Sequence, residues 1–384
     1  MKEISQLKIA IVHDFLTKIG GAEKVLLSMH KLFPEAPIFT LVYDENGTKG
    51  VFKNCKIIGS SLNKYPSAIK KKTKFLLPFY PKAIEEFDFS EYDIVISSSN
   101  SFAHGIITSP KTFHLCYCHS PMRYVWDYTN EYLAENKIGY GLKGLFVRKT
   151  LHEIRIWDKV SSQRVDKWIA NSFNVKNRIK KYYQKDSSVI YPPVPVENIE
   201  FNENVPDDYY LIVSRLEPYK KVDVAIDAFN QTGKPLVIIG TGSRSDSLKS
   251  IAKSNIEFLG WQSDKAVYEY MRNAKALIFP AEEDAGLTPI ESMATGRPVI
   301  AYGKGGVTEN VIESKTGLFF NEANSKSLNE TISEFEKNIL QFSPKTCREQ
   351  ALKFSEKDFK ENLMKEIENG YRDYLKKMEP NVKD

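Results

Sequence analysis

The chain of 384 residues is 42% hydrophobic and 27% charged, with a formal net charge of +5. This composition is typical of a globular protein long enough to bury two cores, and it excludes a disordered, collagen-like or coiled-coil chain. A net charge this small does not by itself indicate nucleic acid as a partner.

Cysteine content and apolar runs bear on the cellular compartment. The four cysteines are few and scattered, which argues against a disulfide framework and favours a reduced, cytoplasmic setting. His13 and Asp14 interrupt the first apolar run, and no run reaches the ~18 apolar residues of a membrane-spanning helix. We therefore expect no signal peptide and no transmembrane helix, so that any membrane contact is peripheral.

Alternating strand and helix signals cover the N-terminal half. A short β-branched run over 8–15 predicts a buried strand, and after Gly20 and Gly21 the apolar residues of 22–33 recur at helical spacing. Strand, glycine turn and helix in this order are typical of a βαβ unit. Further strands are predicted over 92–99, 113–118 and 167–172, and a helix over 175–183.

The same alternation restarts after a proline-rich break. Three prolines within Tyr191–Pro195 exclude a helix or a central strand there, so we place a linker over 191–206. Beyond it, strands are predicted over 209–215, 235–240, 256–261, 276–280 and 297–303, and helices over 220–231 and 287–295.

These patterns predict the α/β class, with two doubly wound, Rossmann-like domains. The predicted domains are 1–190 and 207–355, followed by a helical tail over 356–384 for which packing back on the N-terminal domain is one option. Ligands of open α/β sheets bind beyond the carboxyl ends of the strands, so the candidate site residues are sought there.

Gly20 and Gly21 are the first candidates, because they precede a predicted helix. Glycine lets a phosphate approach the backbone, and a helix N-terminus attracts an anion. The alternative is a plain tight turn.

Ser214 and Arg215 end the first strand of the C-terminal half, with Lys220 and Lys221 close behind. Two cations near one strand end suit a diphosphate leaving group, which gains negative charge as its bond breaks. The alternative is an ordinary solvated surface.

Glu283 and Glu291 flank a strand-to-helix turn through Gly286, and Pro289 fits the first turn of that helix. Backbone amides around 286–288 would face an anion, while the two carboxylates could accept hydrogen bonds from sugar and ribose hydroxyls. The alternative for Glu291 is an exposed helix position.

His119 ends a strand of the N-terminal half. On that strand His114, Cys116 and Cys118 would share one face, which raises a metal site as an alternative. No fourth ligand is evident and the spacing matches no familiar zinc pattern, so core packing of the cysteines is favoured and no metal is expected.

The segments VSRLEPYKKVDVAIDAF, FLGW and EEDAGLTPIESMATGRPVIAYGKGG resemble the retaining glycosyltransferases of family 4. That family has the GT-B fold, in which two Rossmann-like domains face each other across a cleft. The segments IVHDFLTKIGGAEKV, EYDIVISSS and CYCHSPMRYVWD resemble the branch that includes bacterial O-antigen mannosyltransferases. The resemblance covers nearly the whole chain.

The resemblance implies a role for each matching residue. Arg215 and Lys220 would hold the diphosphate, Glu283 the hydroxyls of the donor sugar, and Glu291 the nucleotide ribose. His119, facing the donor sugar, completes the implied catalytic set of His119, Glu283, Arg215 and Lys220. The other implied donor-binding residues are Gly21, Ser214, Gly240, Gly242, Trp261, Gly286, Leu287 and Thr288.

The resemblance also implies a mechanism. An acceptor hydroxyl would attack from the face that the diphosphate leaves, with retention, no enzyme nucleophile and no required metal or other cofactor. GDP-mannose is the donor that the resemblance favours, with UDP-sugars as the alternative. Ala285 departs from the family, which usually has an aromatic residue before that glycine, and this leaves the donor sugar open.

A basic and apolar segment over 64–82 has six lysines and no acidic residue, and a second such segment spans 141–159. This composition is typical of an interfacial membrane segment. In the family the N-terminal half binds the acceptor, so we expect a lipid-linked saccharide at the anionic inner face of the cell membrane. The expected contact residues are Lys70, Lys71, Lys72, Lys74, Phe75 and Leu76; the alternative is a solvated helix face at a core edge.

Other classes of protein remain open on the sequence. An epimerase or a phosphorylase could share this architecture, as could a nucleotide-sugar sensor without turnover. Nucleic acid is not expected as a partner, because the sequence has neither a basic recognition helix nor an aromatic RNA motif.

Overall fold

The computed structural model of the chain describes residues 4–66 and 73–378, apart from the side chains of Ser5, Thr73 and Lys74. The chain divides into two compact units. The first comprises 1–191 and 359–384, and the second comprises 192–358. Among the described residues no helix is both long and apolar enough to cross a membrane.

The first unit is built on a parallel sheet of seven strands. Along β1 (Ile9–Leu16), alternate residues serve two apolar cores: Ile9 and Ile11 pack on one face of the sheet, and Ala10 and Val12 on the other. Both faces are covered, as a parallel sheet requires. The other strands are β2 (Ile38–Tyr43), β3 (Ile57–Gly59), β4 (Ile94–Ser99), β5 (Phe113–Cys118), β6 (Lys167–Ala170) and β7 (Ser187–Val189), in the order β3-β2-β1-β4-β5-β6-β7.

Helices of this unit cover the two faces of the sheet. They are α1 (Gly21–His30), α2 (Thr73–Leu76), α3 (Tyr80–Glu85), α4 (Thr129–Glu135), α5 (Leu142–Ser161) and α6 (Phe173–Arg178).

The second unit contains a parallel sheet of six strands in the order β10-β9-β8-β11-β12-β13, which is the doubly wound Rossmann order. The strands are β8 (Tyr210–Val213), β9 (Leu236–Ile239), β10 (Ile256–Gly260), β11 (Leu277–Phe279), β12 (Val299–Tyr302) and β13 (Gly317–Phe320). The helices are α7 (Val222–Thr232), α8 (Ser245–Ile251), α9 (Asp264–Asn273), α10 (Leu287–Ala294), α11 (Val307–Asn310), α12 (Ser325–Lys337) and α13 (Pro344–Leu352).

The last helix, α14 (Glu356–Met378), belongs to the core of the first unit from Phe359 onward. Phe359, Leu363 and Ile367 are buried there, and the Tyr374 hydroxyl donates to the Pro110 carbonyl at 2.7 Å. Residues 359–374 of α14 therefore complete the core that β1 and α1 share.

Residues 192–206, where the sequence predicted a linker, lie in the second unit. Val196 and Ile199 are buried, and the Asn202 amide donates to the Thr295 carbonyl at 3.2 Å. The three prolines thus interrupt regular secondary structure, but the segment packs on the second unit.

Candidate functional site

The order of the second sheet reverses between β8 and β11, which are neighbours although β9 and β10 lie between them in sequence. Ligands of doubly wound sheets bind beyond the carboxyl ends of the strands at such a reversal. The segment 214–221 follows β8, and the loop 280–286 follows β11. The structure therefore places both predicted polar segments at the same edge of this sheet.

Lys220 and Glu283 form an ion pair across that edge. The Lys220 side chain is only 10% exposed and the Glu283 carboxylate 26% exposed, so the pair is largely removed from water. Lys220 ends a 3-10 turn, Pro218–Lys220, and Lys221 then takes a left-handed conformation (φ +53°) before α7. This turn directs Lys220 inward, while Lys221 is exposed.

Arg215 is exposed, and its guanidinium donates to the Tyr219 hydroxyl at 2.7 Å. The Tyr219 ring also lies 6.0 Å from the Arg215 guanidinium carbon and 5.2 Å from Lys220 Nζ. One phenol ring thus lies beside both cations, at distances where a ring face attracts a cation. Sequence reasoning missed Tyr219, although its position between the two cations is visible in the sequence.

The backbone of Glu283 is fixed by a second segment that sequence reasoning did not select. Glu283 forms a parallel bridge with Gly305, and the Gly306 amide donates to the Glu283 carbonyl at 2.8 Å. Gly305 has φ +79°, and a Cβ there would lie 2.3 Å from the Glu283 carbonyl oxygen. Only glycine fits this close approach, so the two glycines hold the loop that carries Glu283.

The turn into α10 is left-handed at Gly286, with φ +68° and ψ +64°. Asn310 is fully buried, and its amide group donates to the carbonyls of Ala285 and, at 3.2 Å, of Gly286. The first amides of α10, at Leu287 and Thr288, have no partner within the helix and carry its partial positive charge. This turn can therefore accept an anion.

Glu291 lies one turn further along α10 and is 8% exposed. The alternative of an exposed helix position is therefore wrong. The Tyr268 hydroxyl lies 3.5 Å from Glu291 Oε1. Burial, together with the neighbouring Glu291 carboxylate, raises the pKa of Tyr268, so its hydroxyl remains a donor toward this carboxylate.

Gly240 and Gly242 follow β9 directly. The carboxyl end of β9 is paired with that of β8. Gly240 has φ +135°, and a Cβ there would lie 1.8 Å from the Ser214 carbonyl oxygen; at Gly242 it would lie 2.4 Å from that of Leu216. Trp261, just after β10, is 64% exposed.

In the first unit, Gly21 opens α1 and is exposed, while His119 directly follows β5. Ser98, on neighbouring β4, lies 2.8 Å from His119 Nε2. Burial, with the nearby His13 ring, lowers the pKa of His119 to about 3, so the imidazole is neutral at physiological pH.

The cysteines beside His119 belong to the core. Cys116 and Cys118 pack in an apolar cluster with Trp168 and Val175, and His114 pairs with Ser97 at 2.8 Å. Across the described ranges, no three His, Cys, Asp or Glu residues are grouped so that they could hold a metal ion.

The predicted membrane residues are only partly described. Lys70, Lys71 and Lys72 lie outside the described residues, as does the side chain of Lys74. Phe75 is 77% exposed. Leu76, in contrast, is buried in the core of the first unit, so its side chain cannot face a membrane as predicted.

Two family descriptions match the chain. "Glycosyltransferase Family 4" matches residues 19–198, and "Glycosyl transferases group 1" matches residues 195–354. The chain belongs to glycosyltransferase family 4. This family membership agrees with the pair of Rossmann-like sheets and makes the protein a hexosyltransferase of the GT-B fold.

Individual family 4 relatives are moderately similar. An uncharacterized glycosyltransferase of Methanocaldococcus jannaschii is 33% identical over 48% of this chain and 53% of that protein. The α-1,3/1,6-mannosyltransferase ALG2 of Dictyostelium discoideum is 24% identical over 84% of this chain and 88% of that protein. The match thus spans about half of the archaeal relative and most of ALG2.

Among solved structures, HepE of Anabaena in complex with UDP superposes with a TM-score of 0.70 at 16% identity, covering 94% of this chain and 100% of that one. At this identity the likeness shows the fold alone.

Proposed function

We propose that this family 4 enzyme transfers mannose from GDP-mannose, with retention, to a lipid-linked saccharide in the synthesis of a cell-surface polysaccharide. The similarity to ALG2 and the resemblance to O-antigen mannosyltransferases support mannose as the sugar. The observation that carries the proposal is the Lys220–Glu283 ion pair at the reversal of the second sheet, with Arg215 joined to it through Tyr219.

In this proposal the cations and carboxylates divide the donor between them. Arg215 and Lys220 neutralise the diphosphate as the glycosidic bond breaks, and the amides of the α10 N-terminus add to that positive field. Glu283 accepts hydrogen bonds from sugar hydroxyls, and Glu291 accepts them from the ribose. The departing diphosphate takes the proton of the attacking hydroxyl, so no metal or other cofactor is needed.

A thermal-shift screen against GDP-mannose, UDP-glucose and dTDP-glucose tests the donor. A ligand that binds only the folded state stabilises it by mass action, so GDP-mannose should raise the melting temperature more than the others. A larger rise in melting temperature with a UDP-sugar would show that GDP-mannose is the wrong donor and would favour the UDP-sugar instead. Sugar conversion without an acceptor would indicate an epimerase, and binding without turnover a sensor.

We also propose that the enzyme is peripheral at the cytoplasmic face of the membrane and docks there through α5. Leu142, Leu145 and Phe146 are 89%, 56% and 62% exposed at its start. Lys143 is exposed between them, and Lys149, also exposed, follows about one turn later with its Nζ 3.7 Å from the Glu153 carboxylate. Exposed apolar side chains interleaved with cations fit an anionic lipid surface.

Flotation with vesicles that contain an anionic phospholipid tests this docking. The double variant Leu142→Ser/Phe146→Ser should lose most of its vesicle-bound fraction. Leu340→Ser is the matched control, because Leu340 is 98% exposed but lies in the second unit. Equal flotation of both variants, or no flotation of the wild-type protein, would count against docking through α5.

A further inference from the structure

Four polar side chains of the first unit form a connected series that ends at His119. His13 on β1 and Ser98 on β4 are direct neighbours in the parallel register. Ser98 Oγ lies 3.1 Å from His13 Nδ1 and 2.8 Å from His119 Nε2. On its far side, His13 Nε2 lies 3.6 Å from the Glu23 carboxylate.

The members of this series are held rigidly. The Gly20 amide donates to Glu23 Oε2 at 2.8 Å, which fixes the carboxylate at the start of α1. The backbone of His119 donates to the Ser99 carbonyl at 2.7 Å and accepts from the Asn171 amide group at 2.9 Å. His13 and Ser98 are fully buried.

We propose that Ser98 and His13 are positioning residues that select the tautomer of His119. A serine hydroxyl has one proton, so Ser98 can donate to only one of the two imidazoles and accepts from the other. The Glu23 carboxylate accepts only, so an N–H at His13 Nε2 is favoured. With the ring proton of His13 at Nε2, its Nδ1 accepts from Ser98, and Ser98 in turn accepts from an N–H at His119 Nε2.

The consequence is a defined chemical character for the other nitrogen of His119. With the proton at Nε2, Nδ1 carries a lone pair and can accept a hydrogen bond from a hydroxyl group.

The groups around the series are consistent with a Glu23 carboxylate that accepts from His13 Nε2. Burial alone would raise the pKa of Glu23, but His13 beside it and its backbone hydrogen bonds bring the pKa below its ordinary value. The Tyr117 ring lies 5.3 Å from that of His119, and the His13 ring 6.4 Å. Asp14, next to His13, is saturated by four backbone amides of 100–103 and takes no part in the series.

Nitrogen-15 NMR of the histidine side chains tests the inference without any need for turnover. At pH 9, where histidines are neutral as a class, His119 of the wild-type protein should be in the Nε2–H form; a His119→Gln variant identifies its signal. In Ser98→Ala this preference should be lost. An Nδ1–H form at pH 9, or an unchanged tautomer in Ser98→Ala, would overturn the inference.

Kinetics supply a second readout, which rests on the proposed transfer. Loss of the hydrogen bond should lower kcat/KM in Ser98→Ala by about 5- to 10-fold, and melting temperatures establish that each variant is folded. Ser97→Ala is the matched control, since Ser97 is the preceding residue of β4 and its hydroxyl pairs with His114 instead. If no donor is turned over at all, the proposed function fails, but the NMR result still decides the tautomer.

Discussion

Lys220 can be replaced by methionine, which keeps much of its length and removes its charge. Two unit charges about 4 Å apart interact by roughly 4 kcal/mol at an effective dielectric constant of about 20, but part of this offsets the desolvation of the two groups. Because water still reaches the 26% exposed side chain of Glu283, we expect a net loss of about 1–3 kcal/mol of unfolding free energy. For a unit of this size that lowers the melting temperature by about 3–10 °C.

The catalytic loss should be larger than the loss of stability. If Lys220 neutralises the departing diphosphate, Lys220→Met should lower kcat/KM for the donor by about 10²- to 10³-fold. Lys221→Met removes the same charge at the next, exposed position, so it should stay within about 2-fold of the wild-type kcat/KM. Initial rates of transfer and melting curves of both variants provide the two measurements.

The double variant Lys220→Met/Glu283→Gln separates structure from catalysis. Removing both charges leaves no unpaired carboxylate, so the melting temperature should recover part of its loss. The kcat/KM value should remain at least about 100-fold below the wild type. Recovery of activity together with stability would refute the reasoning, because it would make the ion pair a structural feature only.

Three further predictions concern Gly240, His114 and Tyr219. Gly240→Ala should lower the unfolding free energy by about 2 kcal/mol or more, because the added Cβ would lie 1.8 Å from the Ser214 carbonyl oxygen. Gly233 also has a positive φ (+70°) but open space around it, so Gly233→Ala should lower the unfolding free energy by only about 1 kcal/mol. Thermal denaturation of the two variants measures the difference. Burial lowers the pKa of His114 to about 3. Between about pH 6.5 and pH 3 the unfolded chain therefore binds a proton at this residue that the folded chain does not bind. The free energy of unfolding should fall in that range by up to ~1.4 kcal/mol per pH unit of acidification. A His114→Gln variant should show a correspondingly shallower pH slope in urea unfolding; an identical slope would contradict the assignment. Tyr219→Phe should lower donor kcat/KM by about 3- to 10-fold, because it removes the hydrogen bond to Arg215 but keeps the ring, and an unchanged value would exclude this role.

Much of the fold could be predicted because strands buried on both faces read as short apolar runs. The predicted strand at 113–118 coincides with β5, whereas that at 8–15 is displaced by one residue from β1. The predicted strand at 297–303 extended too far at both ends, because β12 begins at Val299 and ends at Tyr302. The strands β3 and β7, each three residues long, have no periodicity to detect.

The candidate site was predictable only where charge and spacing carried a signal. Arg215, Lys220 and Glu283 follow neighbouring strands, so their approach follows from the sheet order. The contribution of Gly305 depends on a backbone contact between loops that lie far apart in sequence. The pairing of His13 with Ser98 depends on strand register, which the sequence alone does not specify.

Calorimetric titration of GDP-mannose into the full-length protein tests the central claim most directly. Wild type and Lys221→Met should bind the donor with equal affinity, whereas Arg215→Ala and Lys220→Met should each bind at least about 10-fold more weakly, since each loses one charged contact to the diphosphate. If all four proteins bind it with the same affinity, the diphosphate does not lie between Arg215 and Lys220, and the proposed donor site is wrong.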